Sequence, residues 1–135
     1  MTRVLFVCVQ NAGRSQMSEA LFALSADGRH EARSAGSAPA AAVHPEVVTA
    51  MAELGVDLSG RTPHRLDRAD AEWADVVVTM GCGDACPYVP GTRYVDWELE
   101  DPSGRPLDEV RRIRDEIATR TLELVRELDR DGKEG

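Results

Sequence analysis

Three segments near the start of the chain follow one another in a fixed grammar. Val4-Leu5-Phe6-Val7 is a short β-branched and aromatic run that reads as a buried strand. Cys8-Val9-Gln10-Asn11-Ala12-Gly13-Arg14-Ser15 reads as a turn, and Gln16 to Leu24 as a helix, with Met17, Leu21 and Leu24 on one face. A turn between a strand end and a helix start directs backbone N–H groups inward at the positive end of the helix dipole, which suits a tetrahedral oxyanion. The expected anion cradle is therefore Val9, Gln10, Asn11, Ala12, Gly13, Arg14 and Ser15. Gly13 is expected to take a positive φ where the loop closes. Arg14 can grip two oxygens in a bidentate fork. The same field favours the thiolate form of Cys8, a nucleophile, and Ser15 is placed to donate a hydrogen bond to its sulfur. Asn11 either braces the loop or serves simple turn geometry. A cysteine at a strand end is ordinarily a small buried hydrophobe; the strand, Gly13, Ser15 and following helix set this one apart.

Further along, Glu31–Gly36 reads as a second strand returning after a helical crossover. His44–Leu54 reads as a helix with Pro45 at its start, Val47, Ala50, Met51 and Leu54 on its apolar face, and Gly55 as its stop. His44 reads as an exposed residue near that helix start. Leu66–Trp73 offers a helical turn or two. Asp75–Thr79 is nearly all apolar, as a strand covered on both faces must be. Arg93–Trp97 is the last strand, and Glu100-Asp101-Pro102-Ser103-Gly104 a turn. A long amphipathic helix follows from about Leu107 to Leu128, its stripe built by Val110, Ile113, Ile117, Leu124 and Leu128. Its charged face reads as solvated surface, and the polar tail beyond as frayed. Strands alternating with helices give a single α/β domain over residues 1–131, with 132–135 as tail; the sheet has four parallel strands with helices on both faces. Ligands bind such sheets outside the carboxyl ends of the strands.

At 135 residues the chain is long enough to bury a core. A net charge of −8 argues against nucleic acid or an anionic membrane as partner. It also repels an anionic substrate, so the binding site must be locally positive, as Arg14 and the loop amides provide. There is no apolar run of membrane-spanning length and no signal-peptide pattern, so a cytoplasmic protein is expected. Three cysteines in that setting suggest catalysis or redox exchange. Cys82 and Cys86 lie just past the Asp75–Thr79 strand, four residues apart, which on a helical turn puts both on one face. Three cysteines without a histidine cluster argue against tetrahedral zinc. Two inert buried thiols are the bland alternative.

Val4 to Cys8 and Arg14 to Met17, with Ser34-Ala35-Gly36, Val76 to Met80, Cys82 to Pro87, Asp101-Pro102 and Ile113 to Ile117, resemble the low-molecular-weight protein tyrosine phosphatase superfamily, and within it the arsenate reductases that use cysteine relays. The resemblance implies a three-layer αβα sandwich with strand order 2-1-3-4, which would bring all three sulfurs to one rim. It also implies Asp101 as general acid and reduction of arsenate to arsenite by Cys8, Cys82 and Cys86, with phosphate or sulfate as substrate mimics. It implies no tightly bound cofactor, but an external reductant: thioredoxin, or mycothiol with mycoredoxin. A monomer is expected. Residues matching Asn11, Glu19 and Ser34 help bind potassium in related reductases, but the segment Thr62-Pro63-His64 places histidine, a poor ligand for a hard cation, where they carry aspartate. The rival readings are a phosphotyrosine phosphatase, for which six aromatic residues offer few stacking groups, and a non-catalytic oxyanion-binding or thiol-sensing module. Weak phosphatase side activity is compatible with the cradle.

Overall fold

The strand Arg3–Cys8 (β1) lies inside a four-stranded sheet of order β2-β1-β3-β4, in which every pairing is parallel. The computed structural model of the chain describes residues 1–81 and 88–134. Its other elements are α1 (Arg14–Ala26), β2 (Glu31–Gly36), α2 (Pro45–Ala52), α3 (Arg68–Trp73), β3 (Val76–Thr79), β4 (Arg93–Asp96) and α4 (Leu107–Glu134). The expected α/β architecture and strand order are therefore those of the molecule.

Both faces of β1 are covered, which is why its run is unbroken by polar residues. Val4, Phe6 and Cys8 point to the side where Phe22, Ala26, Leu124, Val125 and Leu128 pack. Leu5 and Val7 point to the other side, with Ala35, Ala74, Val77 and Trp73 of α3. Phe6 stands edge-on to Phe22, centroids 5.5 Å apart, and 5.8 Å from Trp97. Each such fully buried ring contributes about 1.5–3 kcal/mol. The buried face of α2 packs on other helices: Val47, Ala50 and Met51 lie with Met17 and Leu21 of α1 and with Val110, Ile113 and Ile117 of α4.

Three expectations change. Leu24 is 59% exposed; it shares the side of Met17 but lines an open surface cleft with Gly55, Val56 and Arg61. The last helix does not stop at Leu128 but runs to Glu134. Within this extension, the Asp129 carboxylate is bound by Arg29 and by the His30 ring from the α1–β2 connection. The His30 Nδ1 accepts from the Thr2 N–H, so its proton is on Nε2 and is donated to Asp129. The charged face of α4 is also not wholly solvated. Arg114 is buried, and its Nη1 donates to the Ala50 carbonyl at 2.8 Å and to Glu53 at 2.7 Å. It thereby satisfies a carbonyl left over at the end of α2. Among the described residues no helix is long and apolar enough to cross a membrane.

Candidate functional site

The parallel pairing of β1 with β2 and β3 leaves Cys8 at the carboxyl rim of the sheet, opposite Gly36. From there the turn is shaped by its carbonyls. Those of Cys8, Val9, Gln10 and Ala12 accept from the backbone N–H groups of Ser37, Ala38, Ala40 and His44. With these carbonyls tied outward, the N–H groups of the turn are left for the inner side, and the Asn11 N–H lies 3.2 Å from Cys8 Sγ.

The positive φ falls on Asn11 (φ 50°), and Gly13 has φ −143°. Asparagine is among the few residues that tolerate the left-handed region. Gly13 is needed for a different reason: a Cβ there would come 2.8 Å from Pro102 Cγ. Contact between the turn and the Asp101-Pro102 loop requires the missing side chain.

Buried polar groups form a hydrogen-bonded chain that ends at the sulfur. The backbone N–H of His64 donates to Asn11 Oδ1 at 2.9 Å, which settles the orientation of that amide. Asn11 Nδ2 then donates to Ser15 Oγ at 2.7 Å. The same Ser15 Oγ lies 2.8 Å from Cys8 Sγ, within hydrogen-bonding distance. Asn11 and Ser15 are fully buried, and Cys8 nearly so. The sulfur thus has two hydrogen-bonding partners, the Asn11 N–H and the Ser15 hydroxyl.

Arg14 opens α1. Its Nη1 donates to the Leu99 carbonyl at 3.2 Å, and its Nη2 lies 3.9 Å from Asp101 Oδ2. Gly81, with φ 86°, closes over the same guanidinium: a Cβ there would be 3.1 Å from Nη1. Asp101 is more than half exposed. Its other oxygen accepts from the Ser103 N–H, and Glu100 beside it is tied to Arg105 and Arg112. The hydrogen bond from Arg112 is the main reason the Glu100 carboxyl is held below its ordinary range. His44 caps α2, and its Nε2 lies 3.1 Å from Gln10 Oε1 on the outer rim of the turn. Trp97 is buried against Phe6 and borders the cleft behind Arg14, while Tyr94 stacks with Tyr88.

Cys8, Asn11, Gly13, Arg14, Ser15 and Asp101 are thus brought together. Cys82 and Cys86 lie outside the described residues. The chain reaches Gly81 at the cradle, since the Met80 N–H binds the Val7 carbonyl. Sequence reasoning missed Leu99 and the role of the His64 backbone, since both act through main-chain groups that nearly every residue type supplies.

Asn11, Glu19 and Ser34 do not fit a monovalent cation. Glu19 Oε1 accepts from Ser34 Oγ at 2.8 Å, and its Oε2 is held by the Arg61 guanidinium. Asn11 Oδ1 accepts from His64 and from Gln16 Nε2. The oxygens a cation would need are already engaged.

A parallel sheet carrying a buried, hydrogen-bonded cysteine at its rim, beneath an arginine-headed helix, defines an oxyanion-cradle protein with a thiol at the base of the cradle. The chain belongs to the low molecular weight phosphotyrosine protein phosphatase family, whose profile matches residues 3–134. It is 42% identical over 135 residues to a Halobacterium salinarum protein provisionally named an arsenate reductase, covering 96% of this chain and 95% of that one. A Synechocystis protein named glutaredoxin arsenate reductase is 34% identical over 131 residues, covering 95% and 99%. The solved structure of a Corynebacterium glutamicum thioredoxin-dependent arsenate reductase matches with a TM-score of 0.83 and 41% identity. It covers 97% of this chain, which spans 63% of that longer one.

Proposed function

We propose that the protein reduces arsenate to arsenite in the cytoplasm, as a monomer, with electrons supplied by an external thiol reductant. The Cys8 thiolate attacks arsenic held by Arg14 and the turn amides. A departing arsenic oxygen leaves as water, with a proton from Asp101. The Cys82 thiolate then attacks the Cys8 sulfur. The sulfur–arsenic bond breaks, its electron pair stays on arsenic, and As(V) becomes As(III) as a Cys8–Cys82 disulfide forms. Cys86 attacks Cys82, freeing the Cys8 thiolate and leaving a Cys82–Cys86 disulfide for reduction by thioredoxin or by mycothiol with mycoredoxin.

The observation that carries this reading is the close fit of Gly81 over Arg14: one residue before Cys82, the chain is already at the oxyanion site. The names of the relatives point to the same chemistry and to a thioredoxin- or glutaredoxin-type electron source. A phosphatase has no use for two further thiols. The cradle accepts phosphate as readily, so slow aryl-phosphate hydrolysis is expected alongside.

Arsenite production with a thioredoxin or thiol recycling system, measured for the parent protein and for Cys8→Ser, Cys82→Ser and Cys86→Ser, tests the scheme. Turnover should be lost in all three variants, while aryl-phosphate hydrolysis should vanish only in Cys8→Ser. A parent protein that hydrolyses aryl phosphate but leaves arsenate untouched would make it a phosphatase.

A further inference from the structure

We propose that the Arg61 guanidinium serves as a built-in cation for Glu19, so that the Cys8 cradle is set without a bound potassium ion. Glu19 projects from α1 with a side chain only 20% exposed. A carboxylate so placed needs a positive partner, because its desolvation is costly when unpaired. Arg61 provides it, and Ser34 of β2 completes the set by donating to the other oxygen. A guanidinium suits this position: it is permanently charged, directional, and cannot be lost to dilution.

The pairing bears on the thiol because of where Arg61 sits. It lies three residues before His64 on a loop pinned at one end by the buried Leu58. His64 gives its N–H to Asn11 and takes the N–H of Gly36 on its carbonyl. Its ring is held by Asp70 at 2.9 Å. Arg61 and Asp70 therefore fix from two sides the segment that orients the Asn11 amide. Through Ser15, that amide is linked to the hydrogen bond between Ser15 and Cys8. Arg61 and Glu19 are positioning residues. This inference rests on reading Cys8 as the nucleophile, but not on the identity of its substrate.

The test uses the full chain carrying Cys82→Ser and Cys86→Ser, so that iodoacetamide reports on Cys8 alone. Alkylation rate at neutral pH and melting temperature are measured in potassium chloride and in choline chloride at equal ionic strength. The parent should give the same values in both salts. Arg61→Ala should be alkylated about tenfold more slowly in choline and should melt lower. Potassium should restore much of both losses. Arg61→Lys, which keeps the charge, should stay close to the parent and guards against a simple folding defect. A potassium-specific gain in the parent, or an Arg61→Ala protein that matches the parent in choline, would overturn the proposal. No readout involves arsenate, so failure here and failure of the reductase reading are separate results.

Discussion

Ser15 links the Asn11 amide to the nucleophile: its Oγ accepts from Asn11 Nδ2 and lies 2.8 Å from Cys8 Sγ. Loss of a hydrogen bond to a charged acceptor costs about 1.5–3 kcal/mol. Ser15→Ala should therefore slow iodoacetamide alkylation of Cys8 at neutral pH by roughly ten- to a hundredfold, as read by mass spectrometry against time. Gly13 makes a different prediction, since its missing side chain touches Pro102 and not the sulfur. Gly13→Ala should displace the Asp101-Pro102 loop and reduce arsenate turnover more than tenfold, while Cys8 alkylation falls far less. Comparing the two rates in one variant separates the acid loop from the nucleophile. Both residues stand out in the sequence. Gly13 draws attention as a source of backbone freedom, but the left-handed residue is Asn11.

At the scale of elements, α4 joins two cores. Its first half closes the α1–α2 cluster and its second half the sheet face behind Cys8. The stripe of Val110, Ile113, Ile117, Leu124 and Leu128 is legible in the sequence because helical periodicity is a local property. What periodicity hides is Arg114, which reaches across to α2 and to Glu53. Glu53 binds Arg111 and Arg114, and these hydrogen bonds, Arg111 first, hold its carboxyl at about 2 instead of 4.5. Because that value is lowered on folding, the linkage stabilises the protein above about pH 4.5 and is lost as the pH falls toward 2. Glu53→Gln should thus melt below the parent at neutral pH, with the gap closing on acidification; calorimetry across that range checks it. The gap will be modest, because the carboxylate is exposed to solvent screening.

For the molecule as a whole, a surface of net charge −8 surrounds a small positive cradle, and occupancy of that cradle should be visible in global stability. A hundredfold excess of phosphate over its Kd adds about 2.7 kcal/mol to the native state. The melting temperature should rise with phosphate relative to chloride at equal ionic strength, and Arg14→Ala should abolish most of the rise. The chain's own order of residues determined the strands, the helices, the strand-to-helix turn and the placement of Cys8, Arg14 and Ser15 along it, because each is a matter of neighbours within a few positions. Tertiary structure alone decided what holds them. The Leu99 carbonyl meets Arg14 across 85 positions, the His64 N–H meets Asn11 across 53, and Arg61 meets Glu19 across 42. The first two contacts use backbone groups common to nearly every residue, and the third joins two charges that would read as surface. No local pattern encodes such meetings; they exist only once parallel strands bring distant loops to the same rim.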